Sequence, residues 1–321
     1  MRLLRRLNRR YLLRYRLEYA VAAGLVYGVR ALSPAFAWAS SRALGRLLFH
    51  LGVRRKEMLA NLAVAFPDLE AGEREALARK VMEHFASMVT DIIFQRRMLS
   101  RRNLFERIRF RGWAEDYMRR HGVEGLRRRA RGILFTTAHL GNWEIASGLF
   151  GMLGVRIDPV FRHPQNPFLD RLLQRIRLQT QGHFIAKRGA VRAMLDRLEE
   201  GVNVGFLFDQ EAVHGIYVPF FGLDACTHKT PAVLARDYGV RIFFGAVVRR
   251  GDFLRYELRG NEIDVDCRTE DREADLREIL SRMMLRLEEE IRRFPEQYLW
   301  AHRRWKRTGI HGERHLPEKR K

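Results

Sequence analysis

Between Ala71 and Gln95 the apolar side chains Leu77, Val81, Phe85, Met88 and Ile92 recur every three or four residues. That repeat predicts a long amphipathic helix, introduced by Pro67-Asp68. The pattern ahead of it is different. From Arg2 to Arg16, Leu3, Leu4, Leu7 and Tyr11 sit at helical spacing with Arg5, Arg6, Arg9 and Arg10 largely between them, which predicts a basic amphipathic helix for a membrane interface. Tyr19 to Val29 is apolar but is interrupted by Arg30 and then Pro34. A hydrocarbon core needs about 20 apolar residues, so this stretch is predicted to lie at the interface or re-enter it. The alternative is a buried core helix behind a solvated arginine face. No small-residue cleavage pattern follows, so a signal peptide is not expected.

From Gly132 onward short apolar runs alternate with amphipathic segments. Ile133 to Thr137, Arg156 to Val160, Val202 to Phe208 and Val240 to Val248 read as strands, with helices between them at Asn142 to Met152, Pro167 to Gln179, Ala190 to Glu200 and Thr230 to Tyr238. A last helix from Arg272 to Arg293 places Leu276, Ile279, Leu280, Met283, Leu287 and Ile291 on one face and ends at Phe294-Pro295. The expected fold class is α/β: a mixed, mainly parallel central sheet flanked by helices, with a helical N-terminal membrane-docking region. No internal repeat is evident.

Charge narrows the partners. The 321 residues carry 60 Lys plus Arg against 38 Asp plus Glu, a formal +22, so the partner should be anionic: nucleic acid, an anionic bilayer face or an acidic carrier protein. No RNP-like, zinc-finger or compact helix-turn-helix pattern supports nucleic acid. If the apolar N-terminal segment spanned, the positive-inside rule would disfavour export of the equally basic remainder, so the body is expected on the cytoplasmic side. Cys226 and Cys267 stand apart, in no metal-ligand or disulfide pattern, which fits a reducing compartment.

The chemistry concentrates in Thr136-Thr137-Ala138-His139-Leu140-Gly141-Asn142-Trp143-Glu144, where a strand ends and a helix begins. Ligands of open α/β sheets bind at the carboxyl ends of strands. Gly141 allows a tight turn, Asn142 is a candidate N-cap, and Glu144 falls in the first helical turn. From there its carboxylate is expected to take the Nδ1 proton of His139 and leave Nε2 as a general base, the logic of a triad whose nucleophile comes from the substrate. An acceptor hydroxyl attacking a thioester suits such a pair. Taken by itself the short motif also fits a capped helix start with a structural histidine. Metalloprotease HExxH, nucleophile-elbow GxSxG, Walker A and GxGxxG patterns are missing, so neither a metal nor a nucleotide cofactor is expected.

These residues bring a family into view. From Asn61-Leu62-Ala63-Val64-Ala65-Phe66-Pro67 to Pro295-Glu296-Gln297-Tyr298-Leu299-Trp300-Ala301-His302-Arg303-Arg304-Trp305, the chain resembles the bacterial lipid A biosynthesis acyltransferases of the lysophospholipid acyltransferase superfamily. His139 and Glu144 match the superfamily's H-x4-D/E positions. Phe161-Arg162-His163-Pro164-Gln165-Asn166-Pro167 is similar to a YRP-NNP segment, with Phe161 in place of the tyrosine. Gly182 to Arg188 resembles an acceptor-phosphate block, and Phe208-Asp209-Gln210 stands where the glycerolipid enzymes carry EGTR.

The resemblance implies catalytic His139 and Glu144, and substrate contacts by Asn142, Arg162, Asn166, Lys187, Arg188, Asp209 and Gln210. Arg162 and Arg188 suit a phosphate clamp or oxyanion stabilisation, and Lys187 a point charge. Surface ion pairing for Lys187 and Arg188, and a strand-end clasp for Asp209 and Gln210, are the structural alternatives. The Val218-Pro219-Phe220-Phe221-Gly222 stretch suits an acyl groove or the core. The implied donor is an acyl-carrier-protein thioester, with coenzyme A thioesters also open, and the implied acceptor is a lipid A precursor at the anionic inner-membrane surface. The body is expected to be peripheral or monotopic on the cytoplasmic face. Residues 1–55 are expected to form docking helices, 56–310 the acyltransferase domain and 311–321 a basic tail. Other readings are an acyltransferase for phosphatidylinositol mannoside, ornithine lipid or lysophospholipid, and a non-catalytic basic binding protein.

Overall fold

Four helices open the chain in the computed structural model, which describes residues 9–161, 163–176, 182–186, 189–251, 253–308 and 310. They are α1 (Arg9–Ala31), α2 (Pro34–His50), α3 (Arg55–Ala65) and α4 (Ala71–Met98). The two N-terminal segments expected from the sequence are one helix over their described part, because nothing between Arg16 and Tyr19 breaks the backbone ladder and Arg14 pairs with Glu18 one turn on, at 2.7 Å. Residues 2–8 of the expected first helix lie outside the described residues. α2 starts where Pro34 cannot continue α1, and Ser33 caps it by accepting from the Phe36 amide. α4 begins with a capping box between Glu70 and Glu73.

The remainder runs α5 (Leu104–Arg107), β1 (Ile108–Arg111), α6 (Trp113–Arg129), β2 (Ile133–Thr137), α7 (Trp143–Met152), β3 (Ile157–Phe161), α8 (Pro167–Ile176), β4 (Ile185–Ala186), α9 (Ala190–Glu199) and β5 (Asn203–Leu207). It continues with β6 (Glu211–Phe220), β7 (Leu223–Thr227), α10 (Thr230–Tyr238), β8 (Arg241–Arg249), β9 (Tyr256–Ile263) and α11 (Arg272–Arg293). Seven strands form one sheet in the order β1-β9-β8-β2-β5-β3-β4, and β6-β7 form a separate hairpin. Every neighbouring pair of the large sheet is parallel except β8-β9. The sheet is mixed and mainly parallel, as the alternation of strands and helices predicts.

Alternate residues of β2 serve two cores. Leu134 packs into the cluster that includes the inner face of α11, while Ile133 and Phe135 pack into the cluster containing Ile145, Leu149 and Phe150 of α7. With both faces covered, β2 opens with three consecutive apolar residues, Ile133, Leu134 and Phe135. The α11 stripe from Leu276 to Ile291 is fully buried. α1 does the reverse. Its Leu13 (72% exposed), Leu17, Val21 and Leu25 (66% exposed) form an outward stripe at four-residue spacing, and Phe36, Leu44, Leu47 and Leu51 in and just after α2 are also exposed. No helix among the described residues is long and apolar enough to cross a membrane.

Candidate active site

β2 and β5 are hydrogen-bonded neighbours in parallel register, with Thr137 paired to Leu207. Two residues beyond that pair, the chain presents His139 on one strand end and Asp209 on the next. His139 Nδ1 lies 2.8 Å from Asp209 Oδ1, and the His139 backbone N–H donates to Asp209 Oδ2 at 2.9 Å. The carboxylate therefore holds its histidine by both ring and backbone. On the other side of the ring, the Gln210 amide nitrogen is 3.2 Å from Nε2. An ionised carboxylate only accepts, so Nδ1 carries the proton and Nε2 presents its lone pair to the Gln210 amide, the tautomer a general base needs.

The Nδ1 partner is thus a correction to the sequence reading, which assigned that bond to Glu144. Five residues along one chain looked sufficient for a dyad, whereas the adjacent parallel strand brings the Asp209 carboxylate to 2.8 Å from Nδ1. Glu144 lines the same cavity as His139. Burial alone would raise the Asp209 carboxyl. The charge and hydrogen bonds of His139, with the Arg304 charge behind them, hold it below the ordinary carboxylate range. Its other neighbour is the buried Tyr298 phenol, pushed well above its usual range by burial and then by the charge and hydrogen bond of Asp209.

The His139 loop is clamped by the C-terminal motif. The Gly141 N–H donates to Gln297 O at 3.0 Å, and the Leu299 N–H to His139 O at 3.0 Å, so Leu140 and Tyr298 pair as a short antiparallel bridge. The Gln297 side chain bonds both backbone groups of Arg249, at 2.8 and 3.0 Å, in the manner of a strand. Asn61 of α3 in turn donates to Trp300 O and His302 O. Arg304 is buried, donating to Cys226 O at 2.7 Å and to Thr227 Oγ1 at 2.5 Å. The tail thereby splints the His139 loop and sets a buried cation near Asp209. Gly141 has φ +65°, and any Cβ there would collide with the Val247 carbonyl, to which the next residue's N–H donates at 2.7 Å. Only glycine suits that crossing.

The other expected site residues scatter. Asn142 is fully buried; its side-chain amide donates to the Tyr256 hydroxyl at 3.0 Å, and it is not among the described residues that line the His139 cavity. Asn166 caps α8 by accepting from the Phe168 and Leu169 amides and ties it to α1 through Tyr15 O and Glu18. Both side chains are used internally, Asn142 on strand β9 and Asn166 on α1 and the first turn of α8. Arg162, Lys187 and Arg188 lie outside the described residues. Phe220 and Phe221 are core residues packed against Trp305 and Trp300.

His139, Glu144 and Gln210 line a cavity of about 710 Å³ that opens between β2, β3, β5 and the start of α9. Arg192 stands in its wall, a cation the sequence reading did not select although it follows Lys187 and Arg188 closely. Trp143, Phe206 and Leu207 are shared with a smaller apolar cavity of about 80 Å³ that runs beneath α7 past Ala146 and Phe150. That cavity shares Phe135, Phe150, Phe243 and Leu258 with a third, of about 40 Å³, beside Trp113.

A family model described as bacterial lipid A biosynthesis acyltransferase matches residues 5–307. The chain belongs to that family. Among its relatives, the lipid A biosynthesis palmitoleoyltransferase of Escherichia coli (strain K12) is 26% identical over 79% of this chain and 80% of its own length. The lauroyltransferase of the same strain is 26% identical over 82% and 83%, and the myristoyltransferase 25% identical over 85% and 82%. As a lipid A biosynthesis acyltransferase the chain is an enzyme that transfers an acyl group. The three relatives differ in the acyl group their names state, at nearly the same similarity to this chain.

Proposed function

We propose that this acyltransferase moves a fatty acyl group from an acyl-carrier-protein thioester to a hydroxyl of a lipid A precursor, with His139 as the general base. The observation that carries this reading is the His139–Asp209 pair, with the imidazole in the wall of a cavity that also carries Trp143, Val160, Phe161, Phe206 and Leu207. Nε2 takes the proton of the acceptor hydroxyl as its oxygen attacks the thioester carbonyl; the tetrahedral intermediate collapses, the C–S bond breaks, and the proton passes to the leaving thiolate. Asp209 fixes the ring and offsets the imidazolium charge. Glu144, on the same wall, holds a reacting partner against Nε2, and Arg192 with Arg162, Lys187 and Arg188 meets the phosphates of acceptor and carrier. The acyl chain follows the apolar walls behind Trp143.

The outward apolar stripes of α1 and α2, set among arginines, support docking on an anionic membrane surface, with the body on the cytoplasmic face where acyl carrier is present. The net positive charge favours the same surface and steers an acidic carrier.

The test is transfer from lauroyl-, myristoyl- and palmitoleoyl-carrier thioesters to a purified lipid A precursor. His139→Ala should lower turnover by at least about 100-fold while the protein stays folded. Near-normal turnover in that variant would remove His139 from the chemistry.

A further inference from the structure

Behind the His139 loop, on the side away from the cavity, lies a polar cluster that the chemistry above does not use. α4 presents His84 and Asp91 seven residues apart, two helical turns, and so on one face. His84 Nε2 is 3.2 Å from the Gly141 carbonyl. Asp91 Oδ2 accepts from the Tyr256 hydroxyl of β9 and lies 2.5 Å from an Arg249 nitrogen of β8. The Tyr256 hydroxyl in turn accepts from the Asn142 side chain at 3.0 Å. Asp91, Asn142, Tyr256, Arg249 and His84 are all buried.

Such a cluster is a poor way to gain stability. A buried ion pair seldom outperforms apolar packing of the same volume, because desolvation offsets the attraction. Here the pair sits at the base of a hydrogen-bonded chain that ends on the residue joining the His139 turn to α7. α7 begins with Trp143 and Glu144, both in the cavity wall. Holding Asn142 therefore fixes how the imidazole sits against Trp143, whose ring centroid is 4.8 Å away, and Glu144 beside it. A displacement of about 1 Å at a reacting group costs about 100-fold in rate, so this distance is worth a dedicated support.

We propose that Asp91, Tyr256 and Asn142 form a positioning relay that fixes the His139 loop from behind, with His84 supporting the adjacent Gly141 carbonyl. Tyr256 and Asn142 touch no substrate; they act through the loop, and the kinetic part of the claim rests on His139 being the base. Burial pushes the Asp91 carboxyl up to about 7 against the pull of Arg249, so Tyr256, as donor to it, has an acceptor in either protonation state.

Tyr256→Phe removes one hydroxyl and leaves the Asp91–Arg249 pair and the ring packing in place. The experiment compares it with Asn142→Ala and with the double variant, in the full-length protein, by two readouts. Deuterium uptake by peptides spanning residues 138–146 needs no substrate and should rise in Tyr256→Phe while the melting temperature stays near that of the wild type. With lauroyl-carrier thioester and a lipid A precursor, kcat should fall about tenfold in each single variant with KM for both substrates within about twofold, and the double variant should be no slower than the slower single. Unchanged uptake, a loss confined to KM, or a double variant whose losses multiply would each overturn the relay. If the wild type transfers nothing, the proposed reaction fails, and the uptake measurement still decides whether the loop is held this way.

Discussion

The loops that follow β2 and β5 lie side by side, yet they obtain their order in opposite ways. The β2 loop, from His139 to Asn142, is fastened by other parts of the chain: Gln297 and Leu299 from the tail, Val247 from β8, His84 from α4 and Tyr256 from β9. The β5 loop is short, leads directly into β6, and is fixed by the buried Phe208 and by the Glu211 N–H donating to His302. It is Asp209 of this second loop that orders the first, through the imidazole and the backbone of His139. One loop receives its conformation and the other supplies the tautomer. Loss of the contacts that fasten the first loop should therefore register in stability or alignment, and loss of Asp209 from the second in the chemistry itself.

The largest effect should come from the β5 loop. Asp209→Asn offers an amide where a carboxylate accepted the Nδ1 proton, so the ring is no longer held in the reactive tautomer. Turnover should fall by about 10²- to 10⁴-fold, with little change in the affinity for donor. A loss smaller than about tenfold would place the ordering of His139 elsewhere.

The β2 loop should show itself in stability against pH. Burial, and then the Arg249 charge, lower the His84 pKa to about 3. Its ordinary value is about 6.5, so as pH falls below that value protons bind the unfolded chain first. The contribution of neutral His84 is complete above pH 6.5 and is lost progressively between 6.5 and 3; by pH 5 the loss is about 2 kcal/mol. Asp91 acts in the opposite sense. Its folded pKa is raised to about 7, so protonation between pH 7 and its unfolded value near 4 favours the folded state. The two nearly offset each other in the wild type, and the His84 part appears as a difference. Urea unfolding of wild type and His84→Asn at pH 7.5 and 5 should show the variant losing about 2 kcal/mol less over that interval. Equal losses would mean that His84 is not buried against the loop.

The smallest effect concerns what both loops serve. Ala146 faces the apolar cavity beneath α7, and Ala146→Leu should shift preference toward shorter donors, by about fourfold for each methylene excluded, at about 0.8 kcal/mol per methylene. Competition between lauroyl- and palmitoleoyl-carrier thioesters measures it. An unchanged ratio would direct the acyl chain to another path.

Much of this architecture is legible in the sequence, and what is not has physical reasons. β2, α10 and α11 fall at the residues their patterning marks, because each carries a run or stripe of buried apolar side chains. β9 escapes notice because Glu257, a buried carboxylate, is surrounded by Arg111, Arg250 and Arg259, so charge stands where an apolar residue would signal a strand. β6 carries Pro219, which reads as a break yet is tolerated in a two-stranded hairpin. In the site, His139 was readable from its place between strand and helix. The pairing with Asp209 was not, because it depends on β5 lying next to β2, a neighbour 70 residues away. Asn142 and Asn166, which the resemblance implies as substrate contacts, turn inward, and a polar side chain in a loop carries no mark in the sequence of which way it turns.

The central claim is that Asp209, from the neighbouring strand, holds the Nδ1 proton of His139. Nitrogen-15 NMR of histidine-labelled protein reads the tautomer directly. At neutral pH the wild type should show His139 as the Nδ1–H form with a strongly deshielded proton on that nitrogen, a signal lost in Asp209→Asn and kept in Glu144→Gln. An Nε2–H ring in the wild type, or a signal that survives Asp209→Asn and vanishes in Glu144→Gln, would contradict it.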